Sequence, residues 1–149
     1  MLADILLLFA VAYSIKIIVF GIAAFNACYP SNLSCKPTVS IIIAARNEEK
    51  NIRRCLESVT GLSYPSDLLE IVIVDDRSTD ETASIVREYI DRHFHLRFVA
   101  ASPGTGNLLG KTNAVAQGIE VSKGEILMFT DADCTVPIRW VEETVKYYD

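Results

Sequence analysis

The chain has 149 residues, enough for one domain of ordinary size, and 14 Lys and Arg against 19 Asp and Glu give a net charge of −5. That balance argues against a nucleic-acid surface. Half of the residues are apolar and the mean hydropathy is positive, which points to a portion lying in a membrane. The cysteines Cys28, Cys35, Cys55 and Cys134 form no C-x-x-C pair and no metal-type spacing, and free thiols fit a reducing compartment.

The apolar excess is local. Residues 5–25 carry one charge, Lys16, and about 20 apolar residues span a bilayer. A central Lys costs roughly 2.5–3.5 kcal/mol on insertion scales, which the surrounding Leu, Ile, Val and Phe offset. The run is too long for a signal-peptide core, Asp4 stands where a signal peptide has Lys or Arg, and no Ala-x-Ala site follows, so a retained transmembrane helix is expected. Lys36, Arg46, Arg53 and Arg54 follow the span and place the body of the chain on the cytoplasmic side of the cell membrane. Residues 1–30 thus read as a single-pass helix and the start of a tether, which continues through turn-rich residues to Pro37.

From Thr38 onwards strands and helices alternate. Val39 to Ala44 is a β-branched run, hence a strand, and Asn47 is placed to cap a helix with Glu48 and Glu49 in its first turn and Ile52, Leu56 and Val59 on its apolar stripe. Leu69 to Val74 is a second strand. Ser78 to Glu81 has the spacing of a capping box for a helix to about Arg92. Leu96 to Ala100 is a third strand, Ser102 to Gly110 a glycine-bearing loop, and Lys111 to Val121 a helix that Gly124 stops. A strand runs from Glu125 into Asp131-Ala132-Asp133. Pro137 then opens a last helix with Trp140, Val141, Thr144, Val145 and Tyr148 toward the core. Four strands alternating with helices indicate βαβ units and a mainly parallel sheet in a nucleotide-binding, Rossmann-like α/β domain.

In such sheets ligands sit beyond the carboxyl ends of the strands. The charged residues collect there: Arg46 and Asn47 after strand one, Asp75 and Asp76 after strand two, Asp131 and Asp133 after strand four. On an extended backbone residues i and i+2 point the same way, so Asp131 and Asp133 set two like charges side by side, an arrangement suited to a divalent cation. Oxygen-only ligands favour Mg²⁺ or Mn²⁺. Asp is also a common turn residue after a strand, but three charged strand ends converging favour a site over three unrelated turns. Other patterns fail on register. In Gly104 to Thr112 a phosphate-binding loop would need its first Gly at Thr105, and a G-x-G-x-x-G motif would need its third Gly at Leu109. Lys111, opening a helix, remains a phosphate contact. His93 and His95 have no acidic or cysteine partner at ligand spacing and read as solvated, and Trp140 reads as core.

The pieces Val39 to Glu49, Ile71 to Thr82, Gly110 to Ala114 and Gly124 to Asp133 resemble, in this order, the family 2 glycosyltransferases of the GT-A fold. The resemblance implies a donor pocket lined by Ala44, Arg46 and Glu48, with Asp76 on the base, Asp75 beside it, and Lys111 holding the nucleotide. It sets Asp131 toward the ribose or sugar and Asp133, with Asp131, on a Mg²⁺ or Mn²⁺ ion that bridges the diphosphate. The implied activity is inverting, metal-dependent transfer from a nucleotide-diphosphate sugar, a UDP-sugar first among them, to a lipid or glycan acceptor in membrane-associated polysaccharide or glycolipid synthesis.

The resemblance departs at Ala116, where many members carry Asn. It also covers only residues 38–149, the donor-binding half. The catalytic base is therefore expected beyond Asp149, with no catalytic residue in this chain and weak or no turnover by it alone. The alternative reading is a truncated, non-catalytic nucleotide-binding membrane protein.

Overall fold

A computed structural model describes residues 2–27, 36–104 and 108–148, with side chains in the first helix from 9–23 only. The order is α1 (Leu2–Ala27), β1 (Val39–Ala45), α2 (Ile52–Thr60), β2 (Leu69–Asp75), α3 (Thr82–Ile90), β3 (Leu96–Ala100), α4 (Gly110–Val121), β4 (Ile126–Asp131) and α5 (Trp140–Val145). The chain divides into two compact units, Met1–Leu33 with Lys146–Asp149, and Ser34–Val145.

In the first unit α1 is apolar on all sides. Ile17, Ile18, Val19 and Phe20 are consecutive and all exposed, and four consecutive residues sweep the whole circumference of a helix. Its described side chains cover fifteen positions, and among the described residues no helix is long and apolar enough to cross a membrane. The span expected over residues 5–25 is therefore not shown. Cys28 and Cys35, most of the tether, and Thr105 to Asn107 of the glycine-bearing loop lie outside the described residues.

The second unit is built on a parallel sheet in the order β3-β2-β1-β4. The four strands fall within two residues of their expected ends. Successive side chains of β1 alternate between two layers. Val39, Ile41, Ile43 and Ala45 join the core made with α2, α3 and α5, and Ile42 joins a smaller core with Val72, Val74 and Ala114 of α4. Ile41, Ile42 and Ile43 are essentially inaccessible, and each such side chain is worth about 1.5–3 kcal/mol of burial. Polar residues at the strand ends are thus carried on a rigid platform. Gly118 lets α4 approach this sheet: a Cβ there would lie 2.6 Å from Ile42 Cγ2.

α5 begins at Trp140, three residues after the Pro137 expected to open it, and two earlier helix starts also differ from expectation. Asn47 does not cap α2. It sits in the left-handed region at φ 56°, and α2 begins at Ile52, after a turn in which Asn51 and Ile52 donate N–H to the Glu48 carbonyl. Its first turn therefore holds no acid. The capping box does not form either: Ser78 Oγ accepts from Asn47 N, Glu81 meets Ser84 Oγ, and Asp80 Oδ1 receives the Thr82 N–H. In both places a short polar side chain bonds across to a neighbouring loop rather than to its own helix. α3 stops at Ile90, and Tyr148 lies beyond α5 with half its surface exposed, whereas Val141 and Val145 are buried and Trp140 packs against the core as expected. His95 is only half-exposed, with Nδ1 buried and unpartnered, and burial lowers its pKa.

Candidate functional site

Parallel pairing aligns the strand ends: Ala44 is level with Val74 and Asp131, and Ala45 with Asp75. The residues that follow therefore leave the sheet at one level and enclose a cavity of about 280 Å³. Its walls are Ala44, Ala45, Arg46 and Glu48 from the β1 end, Asp76 from the β2 end, Gly110 and Lys111 at the start of α4, and Asp131, Ala132 and Asp133 from the β4 end. Seven of the eight residues expected in the site line it together. The eighth, Asp75, is not in the wall: it is buried, its Oδ2 accepts the Ser78 N–H at 3.2 Å, and its Oδ1 has no partner.

The loops that carry these residues are stitched to each other. The Asn47 carboxamide oxygen accepts the Thr79 N–H at 2.8 Å, Ser78 Oγ accepts from Asn47 N at 3.0 Å, and the fully buried Thr82 Oγ1 accepts from Glu48 N at 2.8 Å. The β1 and β2 ends are consequently one rigid rim. Within it Asp76, 4% exposed, is held by Arg77 Nε on Oδ1 at 3.0 Å and Arg46 on Oδ2 at 3.6 Å. In the same wall Lys111 Nζ meets Asp131 Oδ1 at 2.6 Å, both groups more than half exposed. An ion pair so exposed adds little to stability and is free to exchange for a ligand.

The Asp131 and Asp133 geometry differs from an extended i, i+2 pair. Asp131 ends β4, and the chain turns at once, with Cys134 N donating to the Asp131 carbonyl at 3.1 Å. The two carboxylates reach one cavity because of this turn, not because the strand continues. Three residues on one side of α2 hold it from behind. Arg54 donates to the Asp133 carbonyl at 3.1 Å, Cys55 Sγ to the Asp131 carbonyl at 3.5 Å, and Ser58 Oγ accepts the Val136 N–H at 3.2 Å. Burial pushes the Cys55 thiol up to about 12, so it stays a neutral donor. Sequence reading missed this clamp. Its only trace was polar side chains bordering the apolar stripe of α2.

Two cations in the wall, Arg46 and Lys111, and Arg77 paired with Asp76 behind it, face four carboxylates, Glu48, Asp76, Asp131 and Asp133, leaving one negative charge in excess. Such a cavity takes an anionic ligand only with a cation. Among the described residues no three His, Cys, Asp or Glu side chains form a metal cage. Two hard oxygen donors with room beside them do suit Mg²⁺ or Mn²⁺, which bind through one or two carboxylates and complete their shell with phosphate and water.

Known proteins share this sequence pattern and fold. Residues 40–149 match the model of the glycosyl transferase family 2. The probable glycosyltransferase YdaM of Bacillus subtilis is 38% identical over 104 residues, 70% of this chain and 24% of that protein. Among solved structures, a Pyrobaculum calidifontis mannosyltransferase in complex with GDP-Man and Mn²⁺ is similar with a TM-score of 0.67 and 28% identity, covering 94% of this chain and 44% of that one. Residues 1–349 of Staphylococcus aureus TarS with UDP-GlcNAc give 0.61 and 29%, covering 72% and 30%. The chain thus spans about a quarter to under half of the length of these relatives.

Proposed function

Because the chain belongs to the glycosyl transferase family 2, we propose that its carboxyl-end cavity is the donor site of a nucleotide-sugar glycosyltransferase. The observation that carries this reading is the convergence of Asp76, Lys111, Asp131 and Asp133 on one cavity with excess negative charge. Asp76 takes the base, Ala44, Arg46 and Glu48 the nucleoside, and Lys111 the phosphates, while the buried Asp75 braces the Ser78 turn behind them. Asp131 and Asp133 hold Mg²⁺ or Mn²⁺, which when bound neutralises the charge developing on the diphosphate leaving group. Lys111 leaves Asp131 for the phosphates as the donor enters, and the α2 clamp keeps Asp133 directed at the cavity throughout.

The donor is a UDP-sugar, by analogy with the TarS complex, and the acceptor a lipid or glycan. Inversion at the anomeric carbon follows the family resemblance. Residues 38–149 form the donor-binding half. The apolar circumference of α1 and the single charge in residues 5–25 support a membrane anchor, and Lys36, Arg46, Arg53 and Arg54 after it support a domain on the cytoplasmic side. Partition of the chain into the membrane fraction after alkaline extraction tests that part. A UDP titration with and without Mn²⁺, on wild type and Asp133→Ala, tests the site: the metal should tighten binding in wild type and not in the variant. Metal-independent binding that Asp133→Ala leaves untouched contradicts it.

A further inference from the structure

Two residues other than glycine adopt the left-handed backbone region among the described residues, Asn47 at φ 56° and Arg77 at φ 57°. They are not equivalent. Asn enters this region more readily than most residues, and the Asn47 carboxamide bridges to Thr79 from there, so its conformation is accounted for by the loop it holds. Arg has no such preference, and glycine would take the position without strain. The Arg77 side chain is 58% exposed, and it pairs with its neighbour Asp76, whose carboxylate is buried. A strained backbone whose side chain turns back onto a carboxylate of the cavity wall is a reason to look for a role in the site.

The geometry supplies one. Asp76 lines the cavity and Arg77 does not. The left-handed turn folds the Arg77 guanidinium back so that Nε engages Asp76 Oδ1 at 3.0 Å, which orients the carboxylate and leaves Oδ2 on the side of Arg46. Gly110 faces that same oxygen: a Cβ built on it would stand 3.9 Å from Asp76 Oδ2. Resting on the donor-site reading above, we infer that Arg77 is a positioning residue that trades backbone strain for a fixed Asp76 carboxylate, so that one oxygen presents to the base of the nucleotide. Its influence is confined to the base end of the ligand. The phosphate end belongs, on the same reading, to Lys111, Asp131 and Asp133.

The test uses the full chain in detergent, with two probes that separate these ends: UDP with Mn²⁺, and inorganic pyrophosphate with Mn²⁺. Arg77→Gly relieves the left-handed residue while removing one partner of Asp76, so its thermal midpoint should stay close to that of wild type. UDP affinity should nonetheless fall about tenfold, the scale of one charge-assisted hydrogen bond, while pyrophosphate affinity stays unchanged. Arg77→Lys, which keeps the cation, should recover part of the loss. UDP binding by Arg77→Gly equal to wild type overturns the assignment, as does a parallel fall for UDP and pyrophosphate with a lower midpoint, which marks a merely structural residue. A wild-type chain that binds neither UDP nor GDP overturns the donor-site reading itself, and the Arg77 role with it.

Discussion

The two ends of the same four strands carry polar clusters of opposite character. At the amino end Ser40 Oγ donates to Glu70 at 2.7 Å and accepts from Gly124 N at 2.8 Å, Glu70 also accepts the Lys123 N–H, and Thr38 and Glu125 exchange two hydrogen bonds. That cluster closes on itself. Each end buries one unpartnered atom, His95 Nδ1 at the amino end and Asp75 Oδ1 at the carboxyl end, but at the carboxyl end Asp131 and Lys111 hold each other in solvent and two left-handed residues shape the loops. The amino end even has the larger cleft, about 440 Å³ against about 280 Å³. Size therefore does not distinguish a site from a seam. A buried polar group whose bonds are met within the fold stabilises that fold, whereas groups left in loose pairs and in excess of one sign are available to a ligand.

Substitutions at the two ends should separate stability from binding. The largest effect belongs to Gly124→Ala. A Cβ there would meet backbone at 2.3 Å from Ser40 N and 2.6 Å from Val39 C, so β1 and the entry to β4 must part. Urea unfolding should show a loss of roughly 2–3 kcal/mol. At the other end Arg54→Ala removes the bond to the Asp133 carbonyl and should weaken Mn²⁺ binding about tenfold, as loss of an outer-shell partner does, with little change in unfolding. An equal loss of stability would make Arg54 part of the seam.

Glu70→Gln returns to the amino end. It should cost about 1 kcal/mol in unfolding and leave UDP binding alone, and a change in binding would break the division. The smallest effect is at His95. Burial lowers its pKa below 6.5, so the unfolded chain takes the proton first as pH falls. Its contribution is therefore complete above about pH 6.5 and is lost below it. The thermal midpoint should drop between pH 7.5 and 5.5, and His95→Gln should flatten part of that drop.

Much of this arrangement was legible in the sequence. Strand runs such as Ile41 to Ile43 have no alternative once both faces are apolar, and the charges that follow each strand must then gather at one edge of a parallel sheet. What escaped was the use of short polar side chains. Asn47 and Ser78 are as good at capping a helix as at tying one loop to another, and only the register of β1 beside β2, which brings Ala45 level with Asp75, decides for the tie. The turn after Asp131 was hidden for a similar reason, since the α2 residues that hold it lie 76 to 79 positions earlier. Ser40, a polar residue in an apolar strand, was a signal of the amino-end seam that periodicity alone passes over.

The most direct measurement is paramagnetic relaxation by Mn²⁺, followed on backbone amides of the full chain in detergent in the presence of UDP. The account predicts that broadening centres on Asp131 to Asp133 and fades through Lys111 and Asp76, leaving Glu70, Arg97 and Lys123 sharp. Broadening centred on Glu70 and Lys123, or spread evenly over the acidic surface, would contradict it.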